Sequence, residues 1–179
     1  CSEILKMGED SWVSLPHLKH QRANSTLGYI NQRFVYVFGG FELNQEKKKD
    51  GIYLNNAEYL DMNNVDQGWT LIDFAKSNLR PLKLCAMGIV NLDINSILIC
   101  GGFDGTKNSN SVSHATFDPE TGMLLSLKEE NTNLPSNHIF LSSNFIKIGN
   151  DFVNYDSNNY AVISYKSDKK SFITLKAKN

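Results

Sequence analysis

The side chains in this sequence with chemical potential are few and scattered. Lys47, Lys48 and Lys49 form a run of adjacent charge that could meet an acidic protein surface or a nucleic-acid backbone. Three neighbouring ammonium groups also suit a solvated loop. His17 and His20 have the spacing of a metal-binding pair but stand in a connector with no third ligand nearby, so no metal site is expected. His114 lies on an alternating stretch and His138 begins another, positions that favour structural or surface roles over catalysis. There is no G-x-S-x-G, no H-E-x-x-H and no phosphate-cradling loop. The 3 cysteines, Cys1, Cys85 and Cys100, cannot close a disulfide framework, and none sits in a C-x-x-C pair. Cys85 and Cys100 read as small buried hydrophobes of a reducing compartment. Nothing here points to an enzyme or to a cofactor.

Composition sets the outer bounds. At 179 residues the chain suits one ordinary domain, and 41% hydrophobic residues can build a core. A net charge of −1 argues against non-specific nucleic-acid binding. No apolar run approaches the roughly 20 residues that span a bilayer, so no membrane anchor is expected. The opening Cys1-Ser2-Glu3 lacks both Met and a signal-peptide pattern, which reads as a segment of a longer, cytoplasmic protein.

The elements that would position these side chains come in a repeated order. Val35-Tyr36-Val37-Phe38-Gly39-Gly40-Phe41 returns as Ile97-Leu98-Ile99-Cys100-Gly101-Gly102-Phe103. In each copy an apolar strand ends at a glycine pair, which lets the chain leave through angles a side chain forbids. The flanks match too: Trp12, Arg22 and Gly28-Tyr29-Ile30 precede the first copy, while Trp69, Arg80 and Gly88-Ile89-Val90 precede the second. Asn55 to Asp61 follows the first doublet as an alternating strand, and Asn110 to Asp118 follows the second. Asp118-Pro119-Glu120-Thr121-Gly122 then signals a turn. Trp12 and Trp69, recurring at one repeat position, are expected to pack between units.

This order of strand, Gly-Gly, loop, alternating strand and Trp strand resembles the kelch repeat of galactose oxidase and kelch-like propellers, each unit a four-stranded blade. The resemblance implies an all-β kelch-type β-propeller of about three blades in an incomplete ring. Residues 1–15 would be a blade end, 16–72 and 73–127 two blades, and 128–179 a degenerate third. In that third unit Phe140 to Ile148 and Phe152 to Tyr155 would form the inner hairpin, with Asp156-Ser157 replacing the glycines. Known propellers close with four to eight blades, so further blades from the same longer chain, or from another, are expected.

The resemblance also implies where a partner would dock. The loops after each Gly-Gly share one face with the connectors between blades, and on kelch adaptors that face often takes a partner peptide. Candidate contacts there are Arg22, Phe41, Lys47, Lys48, Lys49, Arg80, Phe103 and Asp104. Arg22 and Arg80, at equivalent places, would suit an acidic partner, or would support loops. The stretch from Glu42 to Leu54 should project into solvent. The expected function is a non-catalytic protein-interaction scaffold, in the cytoplasm and on cytoskeletal or ciliary assemblies. A ubiquitin-ligase substrate adaptor, a kelch-type enzyme and a carbohydrate-binding propeller are the alternatives. A copper radical oxidase would need tyrosines, histidines and a cysteine gathered at one metal, for which Tyr29, Tyr36, Tyr59 and Cys85 would have to meet.

Overall fold

The computed structural model describes residues 2–5, 7–43, 51–77, 79–137, 140, 145–156 and 161–176. The architecture is all-β, with no α-helix among those residues. Two short strands, β1 (Ser2–Ile4) and β2 (Val13–Leu15), pair first. Three four-stranded antiparallel sheets follow. Sheet I holds β3 (Thr26–Ile30), β4 (Phe34–Phe38), β7 (Asn56–Asp61) and β8 (Thr70–Asp73). Between its second and third strands the chain makes a two-stranded ribbon of β5 (Phe41–Leu43) and β6 (Gly51–Tyr53). Sheet II holds β9 (Gly88–Asn91), β10 (Ser96–Cys100), β11 (Val112–Phe117) and β12 (Leu124–Glu129). Sheet III holds β13 (Ile146–Ile148), β14 (Asp151–Asp156), β15 (Ala161–Lys166) and β16 (Ser171–Lys176).

Alternation along the strands decides which side each residue faces. On β4, Phe34, Tyr36 and Phe38 join Ile97, Ile99 and Phe117 in a core between sheets I and II. Val35 and Val37 point the other way, toward Leu15, Leu18 and Trp69. On β10, Leu98 and Cys100 face sheet III and meet Phe152, Tyr165 and Phe172. Sheet II thus buries both faces of β10, as expected for an apolar run such as Ser96–Cys100, buried at every position.

The two glycine doublets have matching geometry. Gly39 and Gly40 have φ of +54° and +90°, and Gly101 and Gly102 of +65° and +104°. A Cβ on Gly39 would lie 2.3 Å from the Leu84 carbonyl oxygen, and one on Gly102 2.8 Å from that of Cys85. Both demands, left-handed backbone and close approach of a neighbouring chain, select glycine. The outgoing chains match as well: Phe41 exchanges backbone hydrogen bonds with Ala23, and Phe103 with Cys85.

Three sequence expectations shift. Gly28 and Gly88 are not in the same register, since Gly28 lies opposite Tyr36 while Gly88 lies opposite Cys100. Each is glycine for its own reason: Ile89 crowds the first, and Phe140 and Phe145 the second. Trp69 is 4% exposed and donates its Nε1–H to the Pro16 carbonyl at 2.9 Å, but Trp12 is 63% exposed. Trp12 stands just before β2, in a sheet of only two strands. In sheet III the first strand is described only over Ile146–Ile148, with Phe140 and Phe145 buried ahead of it and bonded through their backbone N–H groups to the carbonyls of Ala86, just before β9, and of Ile89 in β9.

Candidate protein-binding surface

Beyond the glycine doublets, the loops of sheets I and II lie side by side. The stretch after Phe41 is not simply a projecting loop, because Phe41 pairs with Tyr53 and Leu43 with Gly51 across the β5–β6 ribbon. The ribbon carries Tyr53 toward the neighbouring sheet. Its ring centroid is 6.1 Å from that of Phe41 and 6.0 Å from that of Phe103, edge-on to the latter. Gly105, with φ +100°, lets the sheet II loop pass under Tyr53, since a Cβ there would sit 2.5 Å from Cε2 of the ring. Phe41, Tyr53 and Phe103 thus form a half-buried aromatic row bridging two sheets, with Ile52 exposed beside it.

Fixed charge rims this row. One Asp104 carboxylate oxygen accepts from the Thr106 hydroxyl at 2.6 Å and from the Thr106 and Lys107 backbone N–H groups at 2.8 and 2.9 Å. The Thr106 hydroxyl, followed by these N–H groups, holds the Asp104 pKa down at about 2. Asp104 is therefore an anion on a braced turn at any physiological pH. On the sheet I side His20 lies 3.7 Å from Glu42.

The two arginines behave differently. The Arg22 guanidinium donates to the Gly39 carbonyl at 2.7 Å, to Asn56 Oδ1 at 2.9 Å and to Glu58 Oε1 at 2.6 Å. Both side chains of the Arg22–Glu58 pair are 0% exposed. Glu58 also accepts from the backbone N–H groups of Lys19 and His20, so the pair ties the incoming connector to β7. Arg22 has no surface to offer a partner in this structure. Arg80 is 27% exposed, bonds to the Ser113 hydroxyl and lies 3.1 Å from Glu129. Glu58 and Ser113 occupy the same register position, opposite Val37 and Ile99, each second from the glycine end. Arg80 therefore reaches the site equivalent to Glu58, although it starts five residues before its bridge residue Cys85, where Arg22 starts one before Ala23.

The structure thus brings together Phe41, Phe103 and Asp104, and sets Arg22 apart inside the first sheet. Lys47, Lys48, Lys49 and His138 lie outside the described residues. Tyr53 is the contributor that sequence reasoning missed. Its signal was the alternation of Gly51-Ile52-Tyr53, which mirrors Phe41-Glu42-Leu43 across the polar stretch. Tyr36 and Tyr59 stack at 5.4 Å in the core, and burial pushes the Tyr36 phenol far up. No group of three metal-ligating side chains occurs among the described residues.

No known family model matches this sequence, and no curated protein is similar to it.

Proposed function

We propose that the chain is a kelch-type β-propeller segment that serves as a non-catalytic interaction module, binding a protein partner through the loop end of sheets I and II. The aromatic row Phe41–Tyr53–Phe103 carries this reading. Partly exposed aromatic side chains, locked in place and ringed by charge, are the composition of an interface centre. Rings held by a two-sheet framework lose little freedom on binding. Asp104 supplies a fixed negative point, and Lys47 to Lys49 and Arg80 supply positive charge for an acidic partner segment.

The propeller part rests on convergence of the first strands. Tyr29 of β3, Asn91 of β9, and Phe145 and Lys147 at β13 line one hollow of about 400 Å³. Inner strands around an axial channel would be placed in this way. The outer face of sheet III turns Ile146 and Ile148 to solvent at 70% and 63% exposure, as a ring with further blades to come would. The proposed setting is a cytoplasmic scaffold, such as a cytoskeletal or ciliary assembly.

The test is chemical crosslinking in native extract, comparing wild type with Phe103→Ala and with a triple charge reversal of Lys47, Lys48 and Lys49. Loss of the same intermolecular links in both variants, with thermal unfolding unchanged, is the expected outcome. Links that survive in both variants would sink the loop-end assignment.

A further inference from the structure

A cleft of about 350 Å³ opens between sheets II and III, and its origin can be read from register. In sheet I the opposed pair Tyr36 and Tyr59 faces sheet II and fills that interface with two stacked rings. Counted from the glycine doublets, the same positions in sheet II are Leu98 and His114, also directly opposed. An isobutyl group and an imidazole replace two phenols, and Phe152 and Tyr165 of sheet III do not close the gap.

We propose that this cleft binds a small planar carboxylate, a molecule with one flat apolar body and one carboxylate group. Leu98, Phe152 and Tyr165 give the body an apolar wall that includes two aromatic rings. The volume lies at the small end of the range for ligand sites, which suits a ligand of one or two rings. Lys170, in the turn between β15 and β16, is the one cationic side chain of lysine or arginine type lining the cleft and has no ion-pair partner among the described residues. The acid that could oppose it, Glu130, is engaged with His114, whose Nδ1 lies 3.2 Å from the carboxylate. His114 Nε2 is left buried with no hydrogen-bond partner among the described residues. A single ammonium with the hydroxyls of Thr132 and Ser167 nearby matches one carboxylate, whereas a phosphate would call for more cationic charge.

The experiment is an NMR titration of the full chain with 2-naphthoate and with its neutral counterpart, 2-naphthylmethanol. Naphthoate is expected to shift the backbone amides of His114, Tyr165 and Lys170 saturably, with the alcohol weaker by about tenfold. Lys170→Asn, which removes the ammonium but tolerates the +48° φ of this turn residue, should weaken naphthoate by about tenfold. Leu98→Tyr with His114→Tyr, which rebuilds the first interface in the second, should abolish the shifts. The proposal is overturned if naphthoate gives no saturable shift up to its solubility limit, or if the alcohol binds as well. It is equally overturned if Lys170→Asn binds naphthoate like wild type, a result available even should the double variant not fold.

Discussion

The contact between sheets I and II and the contact between sheets II and III are built on the same backbone plan but filled in opposite ways. The first is packed from the sheet I side by Phe34, Tyr36, Phe38 and Tyr59, and Tyr36 stacks on Phe38 and meets Phe117 at 4.6 Å. It is also stitched by polar bonds. The Tyr36 hydroxyl donates to the Gly122 carbonyl, Thr26 donates its hydroxyl to the Met87 carbonyl at 2.9 Å, and Asn31 donates to the Pro119 carbonyl at 3.0 Å. At the second contact the corresponding β10 positions carry Ser96, Leu98 and Cys100, and the aromatic mass comes from sheet III instead. Phe145, Phe152, Tyr165 and Phe172 fill most of that space and leave the cleft. Repeating a strand plan therefore does not repeat an interface. The side chains set from each side must sum to the gap, and here the sums differ.

The connectors carry the same contrast, and the largest expected effect lies there. Glu58→Ala would leave Arg22 buried without its counter-ion and strip two backbone N–H groups of their acceptor. A loss of about 3–5 kcal/mol in urea unfolding is expected. Its register counterpart Ser113→Ala removes one partly exposed hydrogen bond and should cost about 1 kcal/mol. Equal costs for the two would break the contrast. Next comes Tyr36→Leu, which copies Leu98 into the first interface and should cost about 2–3 kcal/mol, since a close-packed ring and its bond to Gly122 are both lost. The reverse change, Leu98→Tyr, enters space already open and should shift stability by less than about 1 kcal/mol in either direction.

Acid sensitivity gives a smaller and sharper comparison. Asp61 of sheet I accepts from Arg33 Nε at 2.8 Å and Nη2 at 2.6 Å, while its register counterpart in sheet II is Thr116. The Arg33 hydrogen bonds, aided by Asn64, hold the Asp61 carboxyl well below the usual carboxylate range. A carboxyl lowered on folding stabilises the protein fully above the unfolded value of about 4, and that share is lost as pH falls through the folded value. Asp61→Asn should therefore lower the urea midpoint at pH 6 and flatten its decline between about pH 4 and pH 2. An unchanged acid limb would remove Asp61 from the account. Arg80→Ala breaks the same bond to Ser113 and should likewise cost about 1 kcal/mol, because its ion pair with Glu129 is solvent-screened and adds little.

Much of the strand plan was legible in the chain. Val35 to Phe38 and Ile97 to Cys100 are short, apolar and bounded by glycine, and they became β4 and β10. Asp118-Pro119-Glu120-Thr121-Gly122 became a turn in which Asp118 accepts from the Glu120 and Thr121 N–H groups and Gly122 has φ +71°. These are local matters of backbone angle and near-neighbour hydrogen bonding, which a few consecutive residues decide. Register was less legible. Gly28 and Gly88 look alike in sequence yet answer to different neighbours, because a glycine does not state what crowds it.

What the sequence alone determined was the course of most strands in the three sheets, and that the glycine doublets release the chain at one end of two sheets. What only the tertiary structure decided was the use of the side chains on those strands. Arg22 reads as a surface cation, but Glu58, thirty-six positions away, draws it fully inside. Tyr53 reads as loop, but a ribbon sets it between Phe41 and Phe103. His114 reads as one polar residue on a strand, but a missing pair of rings makes it the wall of a cleft. Backbone conformation is set by neighbours in the chain. Burial, pairing and empty volume are set by residues distant along it, and no local pattern encodes those distances.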